Sequence, residues 1–496
     1  MLTDEELEEL LVPFRERMER INAHYIERMG EHVREIGRLK DSDIQRIRQM
    51  RIMDTNLGAI QRELAAASGI NEREAAQLIE TAARRYYADL DLYGMGKTAD
   101  TALLRQLIEA QKETTLGTLR NLSNTTIVAD SYRNVVDTAV TAVSTDMSDY
   151  NSAVRRSLRE AVRGGVRVRQ SDRQVFASGV TRRVDTVVRQ NVLDAVSAIS
   201  NEMSLRGGEL FGANGVEISA HALCAEDHLP YQGEQFTNDE FDRLQMDLDR
   251  PFGFWNCRHT LYPIVVGVTE PVHTPEELEA FRAYSTEEIE FEGKKLTRYE
   301  WTQEQRRIET EVRYLKDEQI AFKASGDDLG RRRAQDRINA YQEYYKRMSA
   351  AAGLRYEDKR MVAAGFRKVK SQTEILAAGY ERAVAKGDLS SLTGQELYTA
   401  VAREVETRIV GTQTWDGITI RGYKTHFIDR VIGSYEQRRD GVPVETVLDA
   451  LRNGTPVDTI RVKGERSHCY KTKQCAVTVN PDTGYLIQTT PKKKEE

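Results

Sequence analysis

Cysteine and proline are scarce in this chain, with four Cys and ten Pro among 496 residues. Cysteines so few and so scattered (Cys224, Cys257, Cys469 and Cys475) cannot staple a fold of this size, and reduced thiols are the expectation. The low proline count excludes a collagen-like or Pro-rich linker protein, while 40% hydrophobic and 30% charged residues exclude general disorder. Neither sign of charge dominates. Lys+Arg total 72 against 78 Asp+Glu, a net of −6, so the whole chain is no sheath for DNA or an anionic membrane. No uncharged apolar run approaches the ~18 residues of a membrane span. The opening MLTDEELEEL is acidic where a secretory signal is basic and then apolar, which predicts a non-membrane protein made in the cytoplasm. Also missing are GxxxxGK[ST], HExxH and GxSxG, so ATPase, zincin and common serine-hydrolase chemistry lack their local signatures.

What the chain has is length and period. Its length gives a prior of roughly two to four domains. Leu7, Leu11, Phe14, Met18, Ile21, Tyr25 and Met29 recur at three- and four-residue steps, the pattern of one helical face, with Gly30 as a breaker. Ser42-Asp43 caps a following helix, and Gly69-Ile-Asn71 reads as a stop and a new cap. Helical patterning weakens over residues 111–128 and then resumes to about Gly207. This predicts a helical N-terminal half, residues 1–206.

Composition changes at Gly207-Gly208. VEISA (Val216 to Ala220) and TLYPIVVGV (Thr260 to Val268) have strand character, while QGEQF and PFGFWNCRH read as ordered loops, giving a central α+β module over 207–270. In the helical region 271–404, one stripe is Ile308, Val312, Leu315 and Phe322, and a second is Ala334, Ile338, Tyr341, Tyr345 and Met348. SGDDLG between them supplies a turn, so an antiparallel hairpin with solvated charged outer faces is expected. A small α+β module over 405–496 follows: a short strand near Ile418, helices from about Tyr423 and from Pro443, and a final hairpin turning at Pro481-Asp-Thr-Gly484. It carries 15 Lys/Arg and 12 Asp/Glu, net +3, leaving −9 for the rest. That contrast favours an anionic partner for this module alone. The fold class expected is multidomain and mainly α.

Two constellations can carry chemistry. The central module gathers His221, Cys224, His228, Cys257 and His259, and four of these could close a tetrahedral zinc site. Their spacing matches no standard zinc-finger template, and the same residues can organise loops by hydrogen bonding alone. Nothing marks an oxyanion site that would make Cys257 a nucleophile. In the terminal module His426 and Arg430 stand four apart on the predicted helix, away from the face of Phe427, Ile428, Val431 and Ile432. With Ser434, Lys471, Thr472 and Lys473 they offer an acid/base group and phosphate-binding donors. RNA brings its own nucleophile, the 2′-OH, so such a set could cleave it without a metal or other cofactor. An ordinary surface histidine among solvated basic residues is the alternative.

The strings LGTLRNLSNTT, GANGVEISAHALCAEDHLPYQGEQF, FWNCRHTLYPIVVGV and FEGKKLTRYEWTQEQRRIETEVRYLK occur in this order. Together they resemble the phage minor capsid protein 2 family over about residues 1–365. The resemblance implies a low-copy structural protein of a tailed-phage head, inside the virion near the portal vertex and close to phage DNA. It would act in head assembly or genome delivery with the portal and other capsid proteins as partners. The family-like strings hold His221, His228, Gln232, Gly233, Cys257, Arg258 and His259 in the module's organisation. The family pattern requires no cysteine at 224, which leaves His221, His228, Cys257 and His259 as the metal-ligand set. THFIDRVIGS, VETVLDALRNG and CAVTVNPDTGYLIQTTP resemble small phage nuclease modules of the barnase, EndoU, colicin and RelE-like type. This second resemblance implies His426 as general acid/base, Arg430 as phosphate stabiliser, Lys471 or Thr472 as a further contact, and host RNA as substrate. The alternative weighting of the two is a toxin-like, metal-independent RNase delivered by the capsid-protein region.

Overall fold

The computed structural model describes residues 4–37, 43–92, 101–124, 126–127, 129–144, 150–165, 167–169, 181–209, 212–254, 257–457 and 466–492. The chain is multidomain and mainly α, with fourteen helices among the described residues. Six long helices build the N-terminal half: α1 (Asp4–Ile36), α2 (Asp43–Leu92), α3 (Thr101–Asn124), α4 (Ala129–Ser144), α5 (Tyr150–Gly164) and α6 (Val184–Glu209). The α1 stripe is buried as its spacing dictates, from Leu11 through Phe14, Met18, Ile21 and Tyr25 to Met29; the Leu7 side chain lies outside the described residues.

Neither expected glycine break occurs. α1 runs through Gly30 because a Cβ there would stand 2.7 Å from both the Ala321 carbonyl oxygen and the Ala324 Cβ, so this glycine serves helix-helix approach. α2 runs through Gly69, and Asn71 is no cap: buried, it accepts a hydrogen bond from Arg17 of α1. β1 (Thr126–Ile127) lies at the end of the stretch where helical patterning weakens, whereas β2 (Arg167–Arg169) and β3 (Thr181–Arg183) interrupt the helical run expected to reach Gly207; the three form an antiparallel sheet in that order. Strands this short give no readable period-2 signal.

The central module rests on the end of α6. β4 (Gly215–Ile218) lies between β5 (Gln235–Thr237) and β6 (Leu261–Ile264), all antiparallel. Part of the QGEQF segment expected as loop is thus a strand, held against Gly215–Glu217; Trp255 and Asn256 of the second loop lie outside the described residues. α7 (Asn238–Asp247) starts with a capping box of Thr237 and Glu240. α6 continues through Gly207-Gly208, where a Cβ on Gly208 would fall 2.1 Å from the Pro263 Cβ. That bare backbone lets β6 seat on the helix. Ser204 donates to the Leu261 carbonyl at 2.8 Å, and the Leu261 amide donates to Asn201 at 3.2 Å.

After α8 (Pro275–Thr286) and the ribbon β7 (Glu288–Phe291) and β8 (Lys294–Thr297), α9 (Arg298–Ser325) and α10 (Asp328–Ala351) form the expected hairpin. Gly326 ends α9 at φ 81°, and Asp327 caps α10 through the Gly330 amide at 2.8 Å. Both predicted stripes are buried, Tyr341 only in part. The charged faces are not simply solvated. The end of α9, with Ile320, Ala321 and Phe322, enters the bundle core. Beside it Arg155, Arg159 and Arg163, one turn apart on α5, reach Asp327 (2.5 Å), Glu318 (3.4 Å) and Glu311 (2.5 Å). Arg183 bridges Asp185 (3.0 Å) and Asp317 (2.7 Å) in the same interface. The periodicity of one element cannot reveal that its charges meet opposite charges 134 to 172 residues away.

A separate hydrophobic core organises the end of the chain. It joins α11 (Gln372–Ala385), α12 (Gln395–Arg408), α13 (Thr425–Ile432) and α14 (Val444–Asn453) to a sheet, through Leu376, Ala402, Phe427, Leu451, Val477 and Leu486 among others. With β9 (Gly422–Tyr423), β10 (Gly433–Ser434), β11 (Arg439–Asp440), β12 (Thr455–Val457), β13 (His468–Lys471), β14 (Cys475–Val479) and β15 (Tyr485–Pro491) named, the sheet order is β12-β13-β14-β15-β9, with β10 and β11 paired apart. The β14–β15 hairpin turns where expected, with Gly484 at φ 71°. Near Ile418 there is an isolated Gln413–Thr419 bridge rather than a strand.

Candidate functional site

The five His/Cys residues of the central module converge. The chain leaves β4 through Ser219, whose amide donates to the Thr260 carbonyl at 2.9 Å while its hydroxyl accepts from the Thr260 amide at 2.9 Å. This ties the approach to His221 beside His259. Leu223 then sits at φ 61°, a left-handed conformation costly for a bulky residue, with its amide donating to Ser285 at 2.9 Å. The turn brings Cys224 under the same cluster. From the opposite side, His228 stacks on Phe252 with ring centres 4.1 Å apart, and Phe252 meets the His259 ring edge-on. Arg250 grips Asp227 through two bonds of 2.7 and 2.6 Å and fixes the loop that carries Phe252.

The resulting distances are short and mutual. Cys257 Sγ lies 3.6 Å from His228 Nδ1 and 3.3 Å from His259 Nδ1, while Cys224 Sγ lies 3.5 Å from His259 Nε2. Two overlapping triads, His228–Cys257–His259 and His221–Cys224–His259, each keep their ligand atoms within 4.8 Å. Cys224, Cys257, His228 and His259 are all buried. Burial pushes the His259 pKa down to about 3, with His221 and His228 adding to the effect, and depresses that of His228. It pushes the Cys224 thiol up to about 12 and raises Cys257. At neutral pH Cys224 and Cys257 are therefore thiols and His228 and His259 neutral imidazoles. Of the expected set, His228, Cys257 and His259 converge in one triad, whereas His221 joins His259 together with Cys224 in the other.

The terminal set divides instead. α13 buries Phe427, Ile428 and Val431 and leaves His426 and Arg430 half-buried on its other face, as their spacing dictates. Burial lowers the His426 pKa while the nearby Asp388 carboxylate opposes that shift. Ser434 is buried, its hydroxyl accepting from the Gln437 amide at 3.3 Å. Lys471 and Thr472 do not converge on His426. β13 is three strands from β9, ~14 Å at ~4.8 Å per strand. Lys471 also registers through Ala476 with Thr490, four residues along β15 from the Leu486–Tyr423 pair that leads into α13. The separation is on the order of 15–20 Å. Thr472 is occupied locally, its hydroxyl accepting from the Gln474 and Cys475 amides at 3.2 Å each. Strand order, which hydrophobic pattern does not specify, dispersed this set.

A second titratable cluster in the terminal module escaped sequence reading. Asp416 accepts from Tyr470 at 2.8 Å and from Thr414 at 2.6 Å, with His468 Nδ1 at 3.8 Å. His468 and Tyr470 alternate on β13 and so share a face, the one signal that could have paired them.

No helix among the described residues is long and apolar enough to cross a membrane. No curated protein and no solved structure matches the chain. The model of one family, phage minor capsid protein 2, matches residues 2–348, which spans the bundle, the central module with its His/Cys cluster and nearly all of the α9–α10 hairpin. The chain belongs to the phage minor capsid protein 2 family, and is accordingly a structural protein of the phage virion whose partners are other capsid proteins.

Proposed function

We propose that the protein is an internal, portal-proximal component of the phage head, acting in head assembly or genome delivery. The bundle, central module and hairpin form the docking part, and the terminal module is carried with it. One observation carries this division: the family match stops at residue 348, inside α10, and a separate hydrophobic core begins at Leu376 and runs to Leu486. A unit with its own core can be appended without altering the packing of the part that docks. Protease treatment of intact and of opened particles tests it. Cleavage only after opening, together with cross-links to the portal, is the expected result; cleavage in intact particles contradicts an interior position.

A second reading rests on the shared polar face of His426 and Arg430, with Asp388 beside the histidine. On it the terminal module is a metal-independent RNase in which His426 moves the 2′-OH proton and Arg430 stabilises the charged phosphorus centre. Lys471 and Thr472 stand too far off to contact the same phosphate. The measurement is cleavage of mixed cellular RNA by the purified full chain without added divalent metal. Loss in His426→Ala supports the reading, and no cleavage by folded chain removes general RNase activity.

A further inference from the structure

We propose that the central module binds one structural Zn²⁺ through His221 Nε2, His228 Nδ1, Cys257 Sγ and His259 Nδ1, and that Cys224 is a positioning residue for His259. The cluster is assembled so that each ring offers one lone pair inward. His228 donates from Nε2 to the Arg250 carbonyl at 2.7 Å, which leaves Nδ1 free toward Cys257. His221 donates from Nδ1 to the Ala222 carbonyl at 2.9 Å, and its Nε2 is buried with no hydrogen-bond partner among the described residues. His259 has Cys224 Sγ at 3.5 Å from Nε2, an acceptor that selects the Nε2–H form and turns the Nδ1 lone pair to Cys257. These tautomers are assigned from the partners. Such outer contacts are how proteins orient metal-binding histidines, and an orphaned buried acceptor such as His221 Nε2 is otherwise costly.

The spacing fits the ion. Zinc at ~2.3 Å from sulfur and ~2.0–2.1 Å from nitrogen in a tetrahedron needs S···N edges of about 3.6 Å, and the two measured edges at Cys257 are 3.6 and 3.3 Å. His221 belongs to the second triad, with Cys224 and His259, so taking up the fourth position requires its half-exposed ring to move toward Cys257. The donor set is nitrogen and sulfur. The nearest carboxylate, Asp227, is engaged by Arg250, so calcium and magnesium, which demand oxygen, are disfavoured. Cys224 has its own use without a metal, since its thiol donates to the Ala225 carbonyl at 3.3 Å.

Binding converts the Cys257 thiol to thiolate, so each ion displaces one proton to solvent while the imidazoles bind as neutral ligands. Four protein ligands in a buried setting leave no open position, which makes the ion structural rather than catalytic. It would tie the loop after β4 to the segment leading into β6. The module has reason to need such a tie: its strands are three or four residues long and its core holds six buried residues.

The test uses the full chain, freed of metal by a chelator and titrated with Zn²⁺, then with Co²⁺ as a spectroscopic probe. Expected are one ion per chain, release of one proton per ion, a cobalt–thiolate charge-transfer band and a rise in Tm with Zn²⁺. Cys257→Ser, nearly isosteric, abolishes the band. Cys224→Ala keeps the band but weakens affinity about 10–100-fold, and Cys224→Ser, which retains an acceptor, recovers most of it. Absence of binding by wild-type chain with native circular dichroism overturns the proposal. So does a stoichiometry of two, or loss of the band in both Cys224 variants, which would make Cys224 a ligand.

Discussion

Two regions bury polar side chains in quantity, by opposite means. Where α9 meets the bundle the buried groups are acids set against arginines: Asp185 and Asp317 share Arg183, Arg313 lies 3.6 Å from Asp185, and Glu318, fully buried, faces Arg159 and Arg337; burial raises the pKa of Asp317 and Glu318, while Arg183 and Arg313 outweigh it at Asp185. In the central module the buried groups are thiols and imidazoles that burial keeps uncharged. Matched charges lose heavily if one partner is removed, because the survivor stays desolvated. Neutral donors lose less on truncation, yet they retain the capacity to take up a cation. The first arrangement specifies how two parts of the chain dock; the second supplies the donors of the zinc site proposed above.

The sharpest way to break the comparison is Arg183→Ala, which leaves Asp185 and Asp317 buried without their shared partner. It should cost ~3–5 kcal/mol, read as a large fall in Tm, with Asp317→Asn in the same chain restoring part of it. His228→Ala removes a fully buried ring from Phe252 and its bond to Arg250, at ~2–3 kcal/mol. Without metal its melt should shift less than that of Arg183→Ala.

Glu19 sharpens the charged side. Burial, reinforced by Asp185, raises its pKa to about 7 from 4.5. Between those values the folded state holds a proton that the unfolded state has lost, so stability falls as pH rises from 4.5 to 7. Denaturant melts across that range should show the decline, and Glu19→Gln should flatten it and stabilise the chain by ~1–2 kcal/mol at pH 8. Smallest is His426→Ala. On a half-exposed helical face it should change stability by no more than ~0.5 kcal/mol, so any loss of RNA cleavage in that variant reports chemistry rather than unfolding.

Legibility followed range. The α1 stripe, both hairpin stripes, the Gly326 turn and the buried face of α13 are set by spacing within one element, and each could be read directly. Gly30 and Gly208 look like a break and a boundary because their reasons, Ala321 and Pro263, lie in other elements, and Asn71 looks like a cap because its partner Arg17 lies on α1. The His/Cys cluster was recognisable because its members fall within 39 residues, His221 to His259, around one small sheet. Its inner geometry was not, since ring tautomers depend on the Arg250 and Ala222 carbonyls and on the left-handed turn at Leu223. Lys471 and Thr472 illustrate the limit in the other direction: they fall 41 residues or more beyond Arg430, and only strand order decides whether they meet His426.

On the function proposed above, the separately folded terminal unit enters the particle with the rest of the chain. Quantitative mass spectrometry of purified virions tests it most directly, comparing peptides from α9 and α10 with peptides from α13 and α14. The account predicts both sets at the same low copy number per particle. Absence of both from virions, or of the terminal set alone, would contradict it.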